Sequence, residues 1–370
     1  MNKNNHQKPL LKWAGGKEKE VSIISKKLPQ KINRFVEPFV GGGSVFLNLG
    51  NGEIFINDKS KELVNLYRLV QKQDREFFTY LKGLCDSWSS ISNFVDSRKN
   101  ILENLYFERI SVQDFICENV KIMESGFCRN LNIDENELIF EFEKNLISKI
   151  NRTKKIASQK GGLSEKNIFD NMETAFKSAF YMCLRNLYNN PQKINNEKYF
   201  EAIFYFIREY CYASMFRYNS DGKFNVPYGG ISYNRKNFAS KINYLKSEEL
   251  HKKLKDVHIF NLDFEDFLNS LDLQKDDFIF LDPPYDSDFS TYAKISFGKD
   301  EQIRLANFLK NTEAQFMIVI KKTDFIYELY KDFYIFSFEK KYLVSFKNRN
   351  DRNTTHLIIA NYKICEAENV

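Results

Sequence analysis

The sequence predicts an α/β fold in which an open sheet is interrupted by a mainly helical insertion. Three observations carry this. Short apolar runs of strand length, at 34–39, 53–58, 257–264 and 278–281, stop at glycine, proline or acidic residues. Stretches with helical spacing follow several of them, as at 18–28, 60–82 and 302–310. Between them, residues 86–175 are polar and rich in Asn and Ser with helix-like patches, and 176–219 carry aromatics at helical spacing.

The chain has 370 residues, enough for one large or two ordinary domains with a sizeable core. Hydrophobic residues make up 43% and charged residues 28%, the balance of a soluble globular protein. A net charge of +6 is compatible with a polyanionic partner without demonstrating one. None of the six cysteines forms a C-x-x-C pair and the four histidines are scattered. Neither a zinc site nor a disulfide framework is therefore expected, and no metal is assigned. The start, MNKNNHQKPLLKW, lacks the apolar core of a signal peptide, and no apolar run reaches membrane-spanning length. A cytoplasmic protein without membrane contact is the expectation.

Taken in order, LLKWAGGK (10–17) runs an apolar pair and Trp13 into Gly15, Gly16 and Lys17. The glycines permit tight backbone near a ligand. In RFVEPFVGGGSVFLNL (34–49), Arg34 to Phe39 is strand-like, Gly41–Gly43 turns, and an apolar helical pattern resumes at Ser44. Strand, glycine turn and helix make a nucleotide-type cradle, although any tight βα turn uses glycines. EIFIND (53–58) is a second strand ending at Asp58. An acid there either accepts both ribose hydroxyls or caps the helix that follows. The lack of a full G-x-G-x-x-G and of a P-loop lysine argues against a dinucleotide or a triphosphate.

Glu137 to Ile150 reads as a helix and Asn151 to Asn167 as a loop around Gly161 and Gly162. RYNSDGKFNVPYGG (217–230) places Ser220, Asp221 and Gly222 between two extended pieces, a β-hairpin pattern. It bears Arg217, Asn219, Lys223, Asn225 and Tyr228, side chains suited to base edges and phosphates; a plain surface hairpin is the alternative. VHIFNLDF (257–264) ends at Asp263 and Phe264, an acid and a ring that could hold an adenine or, for the acid, cap a helix. Phe333 to Phe338, Tyr342 to Phe346 and Leu357 to Tyr362 are further β-like runs.

The sharpest motif is DFIFLDPPY (277–285). An apolar strand runs into Asp282, Pro283, Pro284 and Tyr285. Two prolines supply no backbone donor and fix φ, so the strand stops and the carboxylate, the Pro283 carbonyl and the ring are held at its C-terminal edge. An exocyclic amine on a purine is a poor nucleophile because its lone pair is delocalised. Two acceptors aimed at its hydrogens, Asp282 and a proline carbonyl, favour a tetrahedral nitrogen with that pair released. Tyr285 can stack on the base.

LKWAGGK, FVEPFVGGGSVFLNL, the strand ending IND, FRYNSDGKFNVPYGG, NLDF and LDPPY occur in this order. Together they resemble the alpha class of adenine-N6 DNA methyltransferases, which contains the Dam-type enzymes and restriction-system partners. The likeness covers 8–82 and about 176–362; residues 86–175 are extra relative to the short members. The resemblance implies a Rossmann-like sheet, S-adenosylmethionine as methyl donor and a flipped-out adenine in double-stranded DNA as acceptor. It implies a cofactor site of Trp13, Lys17, Phe39, Gly41, Gly43, Asp58, Asp263, Phe264 and Asp282. It places catalysis on Asp282, Pro283 and Tyr285, and DNA contact on the hairpin, through Arg217, Asn219, Lys223, Asn225 and Tyr228. The expected organisation is a catalytic domain split into 1–85 and 246–370 around a helical target-recognition insertion, 86–245. A cognate restriction endonuclease is an expected partner. The rival acceptors are cytosine N4 and RNA adenine, and the rival class is a catalytically silent DNA-binding relative.

Overall fold

The computed structural model describes residues 6–13, 15–127, 131, 133–215, 217–284, 297–341 and 353–364. The chain begins with α1 (Val21–Ser25), β1 (Arg34–Glu37), α2 (Phe46–Leu49), β2 (Glu53–Asn57) and α3 (Lys61–Gln71). Seven helices follow: α4 (Arg75–Ser97), α5 (Lys99–Tyr106), α6 (Val112–Phe127), α7 (Glu135–Lys160), α8 (Glu165–Asn189), α9 (Glu197–Tyr210) and α10 (Phe238–Leu245). The chain then returns through α11 (Glu248–Leu254), β3 (His258–Phe260), α12 (Phe264–Asn269), β4 (Phe278–Leu281), α13 (Lys299–Asn311) and β5 (Gln315–Lys321). It closes with α14 (Asp324–Tyr330), β6 (Tyr334–Lys341) and β7 (Asn353–Ala360). Two compact units result, one of 1–71 with 248–370, the other of 72–247.

The first unit is built on a seven-stranded sheet in the order β3-β2-β1-β4-β5-β7-β6. The first five strands are parallel, with Val36 beside both Phe55 and Ile279, and Leu281 beside Ile318. β7 inserts antiparallel between β5 and β6. Side chains alternate along each strand. Val36, Ile279, Leu281, Phe316, Ile318, Ile320, Leu357 and Ile359 form one buried layer with Phe267 of α12, Leu305 of α13 and Tyr330 of α14. All four residues of β4 are buried, as a central parallel strand requires. The chain leaves β1 for β2 on one side while β4 lies on the other. The carboxyl ends of β1 and β4 therefore flank a topological switch point, where open α/β sheets bind ligands.

The second unit is helical. α7 and α8 pack antiparallel, tied by Asn186 donating to Glu137, with Phe142 and Phe176 at 5.4 Å between ring centres. A second aromatic cluster gathers on Trp88, whose ring lies 5.3 Å from Phe206, 4.3 Å from Tyr210 and 5.6 Å from Tyr228. The helices start at side-chain caps: Asp74 accepts from the Phe77 amide, Asp134 from Glu137, Ser164 from Asn167 and Asn196 from Tyr199.

Several boundaries differ from the sequence reading. The expected break at 85/86 falls inside α4, and the units divide at 71/72 and 247/248 instead. The run 60–82 is two helices, because Gln73 takes a left-handed φ of 48° and Asp74 begins a new N-cap. The loop expected at 151–167 is mostly helix. α7 continues to Lys160, and Gly161, at φ 70°, is its C-cap. Of Glu18 to Leu28 only Val21–Ser25 is helical. The strand expected to reach Phe264 ends at Phe260. Among the described residues the hairpin carries isolated bridges, Tyr218 with Phe224 and Cys211 with Tyr228, and no continuous ladder. Tyr342 to Phe346 lie outside the described residues.

Candidate active site

β1 ends at Glu37, and the chain turns at once through Gly41, Gly42 and Gly43 into α2. Gly41 and Gly43 have φ of 50° and 83°, values that glycine tolerates without steric cost. Space is short as well. A Cβ on Gly42 would lie 2.5 Å from the Leu11 carbonyl oxygen, and one on Gly41 2.9 Å from the Trp13 ring. The N-terminal segment thus lies across the turn, and the Leu10 amide donates to the Gly42 carbonyl at 3.0 Å.

Asp58, one residue past β2, organises this turn. Its Oδ2 accepts from the Gly41 amide at 3.1 Å and its Oδ1 from the Ser60 amide at 2.9 Å. Desolvation raises its carboxyl from 3.8 to about 6, against the pull of the Ser60, Gly41 and Lys59 amides. Ser60 rather than Asp58 is the cap of α3, accepting from the Leu63 amide at 3.3 Å, and Asp58 holds the amide of that cap residue while it braces the glycine turn. The Tyr67 hydroxyl, from α3, donates to the Gly41 carbonyl at 2.9 Å.

Asp282 follows β4. The Lys17 ammonium donates to its Oδ1 and, at 2.9 Å, to the Gly15 carbonyl. The lysine side chain is 1% exposed and the carboxylate 18%, so the charge pair lies at the inner wall with one edge open. Pro283 is buried and Pro284 exposed. Gln302 of α13 donates its Nε2 to the Pro284 carbonyl at 3.0 Å, which pins the segment after the strand. Tyr285 lies outside the described residues.

Glu37, which the sequence reading passed over, is buried beneath the turn, and its Oε2 accepts from the Phe46 amide at 3.1 Å. Burial, and then the nearby Asp282 charge, push its carboxyl well above the ordinary range. A lone acid ending the apolar strand RFVE was the signal available. Asn57 was missed too: its side chain joins the ends of β1 and β3, donating to the Pro38 and Leu262 carbonyls at 3.1 Å each.

Asp263 is the N-cap of α12, accepting from the Glu265 amide at 3.2 Å, and it pairs with Arg304 and Lys59. Burial acts upward on its carboxyl, but that amide and the two cations hold it below the usual range. Phe264 is buried, with the rings of Phe39 at 5.5 Å and Phe297 at 5.7 Å and the Arg304 guanidinium 4.7 Å above it. Trp13, Lys17, Phe39, Gly41, Gly43, Asp58, Asp263, Phe264 and Asp282 all belong to the sheet unit.

The hairpin residues belong to the helical unit and part company there. Arg217 and Lys223 are exposed. Asn219 builds the turn: its Oδ1 accepts from the Asp221 amide at 3.1 Å and the Lys223 amide at 2.8 Å. Asn225 accepts from Arg217 Nε at 3.3 Å. Tyr228 is 7% exposed and donates its hydroxyl to Asn234 at 2.8 Å, so its burial removes it from the surface expected to touch DNA. Among the described residues no group of three or more His, Cys, Asp or Glu is placed to hold a metal, and no helix is long and apolar enough to cross a membrane.

The switch point of the sheet thus gathers the Asp58-braced glycine turn and the Asp-Pro-Pro segment whose carboxylate is paired with Lys17. The profile of D12 class N6 adenine-specific DNA methyltransferases matches residues 13–129 and 127–344. The chain belongs to this family. It is an enzyme that methylates the N6 amine of adenine in DNA, and cytosine N4, RNA adenine and a silent relative give way to that acceptor. Among similar proteins, Type II methyltransferase M.CviBI of Paramecium bursaria Chlorella virus is 30% identical over 362 residues, covering 96% of this chain and 100% of that one. Type II methyltransferase M.MjaIII of Methanocaldococcus jannaschii is 26% identical over 96% of this methyltransferase and 99% of its own length. The DNA adenine methylase of Haemophilus influenzae is 24% identical over 87% and 82%.

Proposed function

We propose that this methyltransferase takes its methyl group from S-adenosylmethionine and places it on an adenine flipped out of a short, specific site in double-stranded DNA. The observation that carries the reading is the meeting of the Lys17–Asp282 pair and the Asp58-braced glycine turn at one switch point. The donor fits the turn, which has no side chains and no room for any at Gly41 and Gly42. Trp13, Lys17, Phe39, Gly41, Gly43, Asp58, Asp263 and Phe264 would hold it, with Asp58 accepting ribose hydroxyls and the phenylalanine rings packing on its adenine. When bound, it supplies an electrophilic sulfonium methyl group.

The rest is the work of the chain. Asp282 and the Pro283 carbonyl accept the two hydrogens of the adenine amine, which releases its lone pair from the ring. Lys17 holds Asp282 Oδ1 and so orients the carboxylate. The methylated amine sheds one proton, and Asp282 takes it. Tyr285 is assigned to stack on the flipped base. Arg217 and Lys223, exposed on the hairpin, are assigned to base edge and phosphate, and Asn219 and Asn225 to shaping that loop. The relatives named Type II methyltransferases support a restriction-modification setting, with an endonuclease acting on the same site in the cytoplasm.

The test is Asp282→Asn, assayed with labelled S-adenosylmethionine on DNA. Either change removes the charge that balances Lys17, but asparagine keeps the side-chain volume and an amide oxygen that can accept from the ammonium, whereas alanine keeps neither. The variant is expected to bind the cofactor and to lose about 10²–10³-fold in turnover. Near-parent turnover would remove Asp282 from the chemistry. Methylation-sensitive sequencing of DNA from cells expressing the parent chain then reads the strand and the site.

A further inference from the structure

The hairpin rests on one face of one helix. Thr174, Lys177, Tyr181, Arg185 and Tyr188 recur on α8 at intervals of three and four residues, which places them in a single stripe. At its lower end the stripe holds the return of the hairpin. Lys177 donates to the Asn234 carbonyl at 2.7 Å, and Asn234 donates its Nδ2 to the Thr174 hydroxyl at 3.0 Å. Midway, the Tyr181 hydroxyl and the Arg185 guanidinium donate to the Val226 carbonyl at 3.0 and 3.3 Å. At the top, the Tyr188 and Tyr218 hydroxyls meet at 2.8 Å. Beside that end, Asn189 closes a pseudo-ladder with Phe224, donating to its carbonyl at 2.9 Å and accepting from its amide at 2.8 Å.

These groups are costly to place where they are. Thr174, Lys177 and Asn234 are at most 5% exposed, and Lys177 carries a charge offset by Glu173 at 2.7 Å and by the face of the Trp88 ring at 4.8 Å. Apolar side chains would have filled the same volume at less risk. What the polar stripe adds is direction. The bonds from Lys177, Tyr181, Arg185 and Asn189 fix main-chain groups of this segment at given heights along a rigid rod, which adds register to the isolated bridges among the described residues.

We propose that the polar stripe of α8 is a specificity determinant, with Tyr181 and Tyr188 as positioning residues that set how Arg217 and Lys223 are presented to DNA. The inference rests on the reading of the hairpin as the recognition element, and it gives part of the extra segment, 165–175, a task. Phe224, which Asn189 grips, lies next to Lys223, and its bridge partner Tyr218 lies next to Arg217.

The experiment measures kcat/KM for the target site and for each single-base variant of it, with Tyr188→Phe, Tyr181→Phe and Arg217→Ala beside the parent. Tyr181→Phe keeps the ring beside Tyr228 and removes the hydroxyl bond to the Val226 carbonyl, so it carries the test if Tyr188→Phe melts too early to assay. Both stripe variants are expected to lower target discrimination by about ten-fold, with cofactor affinity and target kcat within about two-fold of the parent. A merely structural role would lower melting temperature and leave the discrimination ratio alone. If Arg217→Ala collapses discrimination while both stripe variants keep the parent's ratio, the stripe is not a determinant and the hairpin reading stands. If Arg217→Ala keeps the ratio too, the hairpin reading falls and takes the inference with it.

Discussion

Asp58 shows how one carboxylate can hold two turns at once. The cap reading fell two residues short, since Ser60 caps α3 and Asp58 holds the Ser60 amide; the bond to Gly41 was not legible, because nothing in IND says which turn lies above it. Its raised carboxyl gives a pH signature. A folded value of about 6 against 3.8 means that its contribution to the free fold is full below about 3.8 and lost as pH rises through 6. Binding runs the other way, because ribose hydroxyls donate to the ionised form. Cofactor affinity should therefore rise as pH climbs through about 6 and then level. Asp58→Asn should lose about 1.5–3 kcal/mol of binding at neutral pH and the pH step with it. Calorimetry across pH 5–8 checks both, and a parent step that survives in the variant would assign the titration elsewhere. Tyr67 is the residue that no motif exposed, since a tyrosine on an amphipathic helix reads as core. Tyr67→Phe keeps the packing against Phe46 and removes the hydroxyl from Gly41. The cofactor KM should rise about five-fold with kcat unchanged, the loss of one buried hydrogen bond of about 1 kcal/mol. An unchanged KM would make the bond incidental.

The strands were the easiest elements to read, because β1, β2 and β4 are apolar runs that end at Pro38, Asp58 and Pro283. β3 was over-extended because Leu262 and Phe264 continue an alternation that the chain abandons to cap α12. The basic stretch after Ile150 read as loop for its charge and its two glycines. Its helix persists because Ile150 and Thr153 remain buried and only Gly161 breaks it. The hairpin was legible as a turn but not as a surface, since sequence does not say that Tyr228 faces inward. Its two exposed cations should fail differently. Arg217→Ala should relax preference at one base position by about 1–3 kcal/mol. Lys223→Ala should weaken binding evenly over all sequences and lower the salt slope by about one. Binding to a panel of single-base variants at two salt concentrations separates them; identical profiles for the two variants would refute the assignment.

The division of the molecule was misplaced by fourteen residues at its first boundary because amphipathic spacing runs almost unbroken from α3 into α4. The sequence did carry the true signal, Asp74 before Arg75-Glu76-Phe77, a cap at the start of a helix. Within the sheet unit, Gln71 donates to the Leu254 and Val257 carbonyls at 2.8 and 2.7 Å. Within the helical unit, Gln73 donates to the Leu245 carbonyl at 3.0 Å. Each unit thus has its two chain ends close together, the arrangement of an inserted domain. A protein in which residues 72–247 are replaced by a short glycine–serine linker should fold and bind the cofactor within about ten-fold of the parent, while methylating no DNA. A folded sheet unit with no cofactor affinity would show that the site needs residues beyond it.

On the ribosome, β2 is made early and then waits. Its outer neighbour β3 follows roughly 200 residues later, behind all of α4–α10, and at about 5–20 residues per second that is on the order of 10–40 s. β4, which covers the other edge of β1, is later still. The helical unit, whose contacts are made among its own residues, can close meanwhile, with an apolar strand pair held open on both edges beside it. Assembly runs from the middle of the chain outward, and a nascent chain released too soon would carry a finished helical domain and two sticky strands.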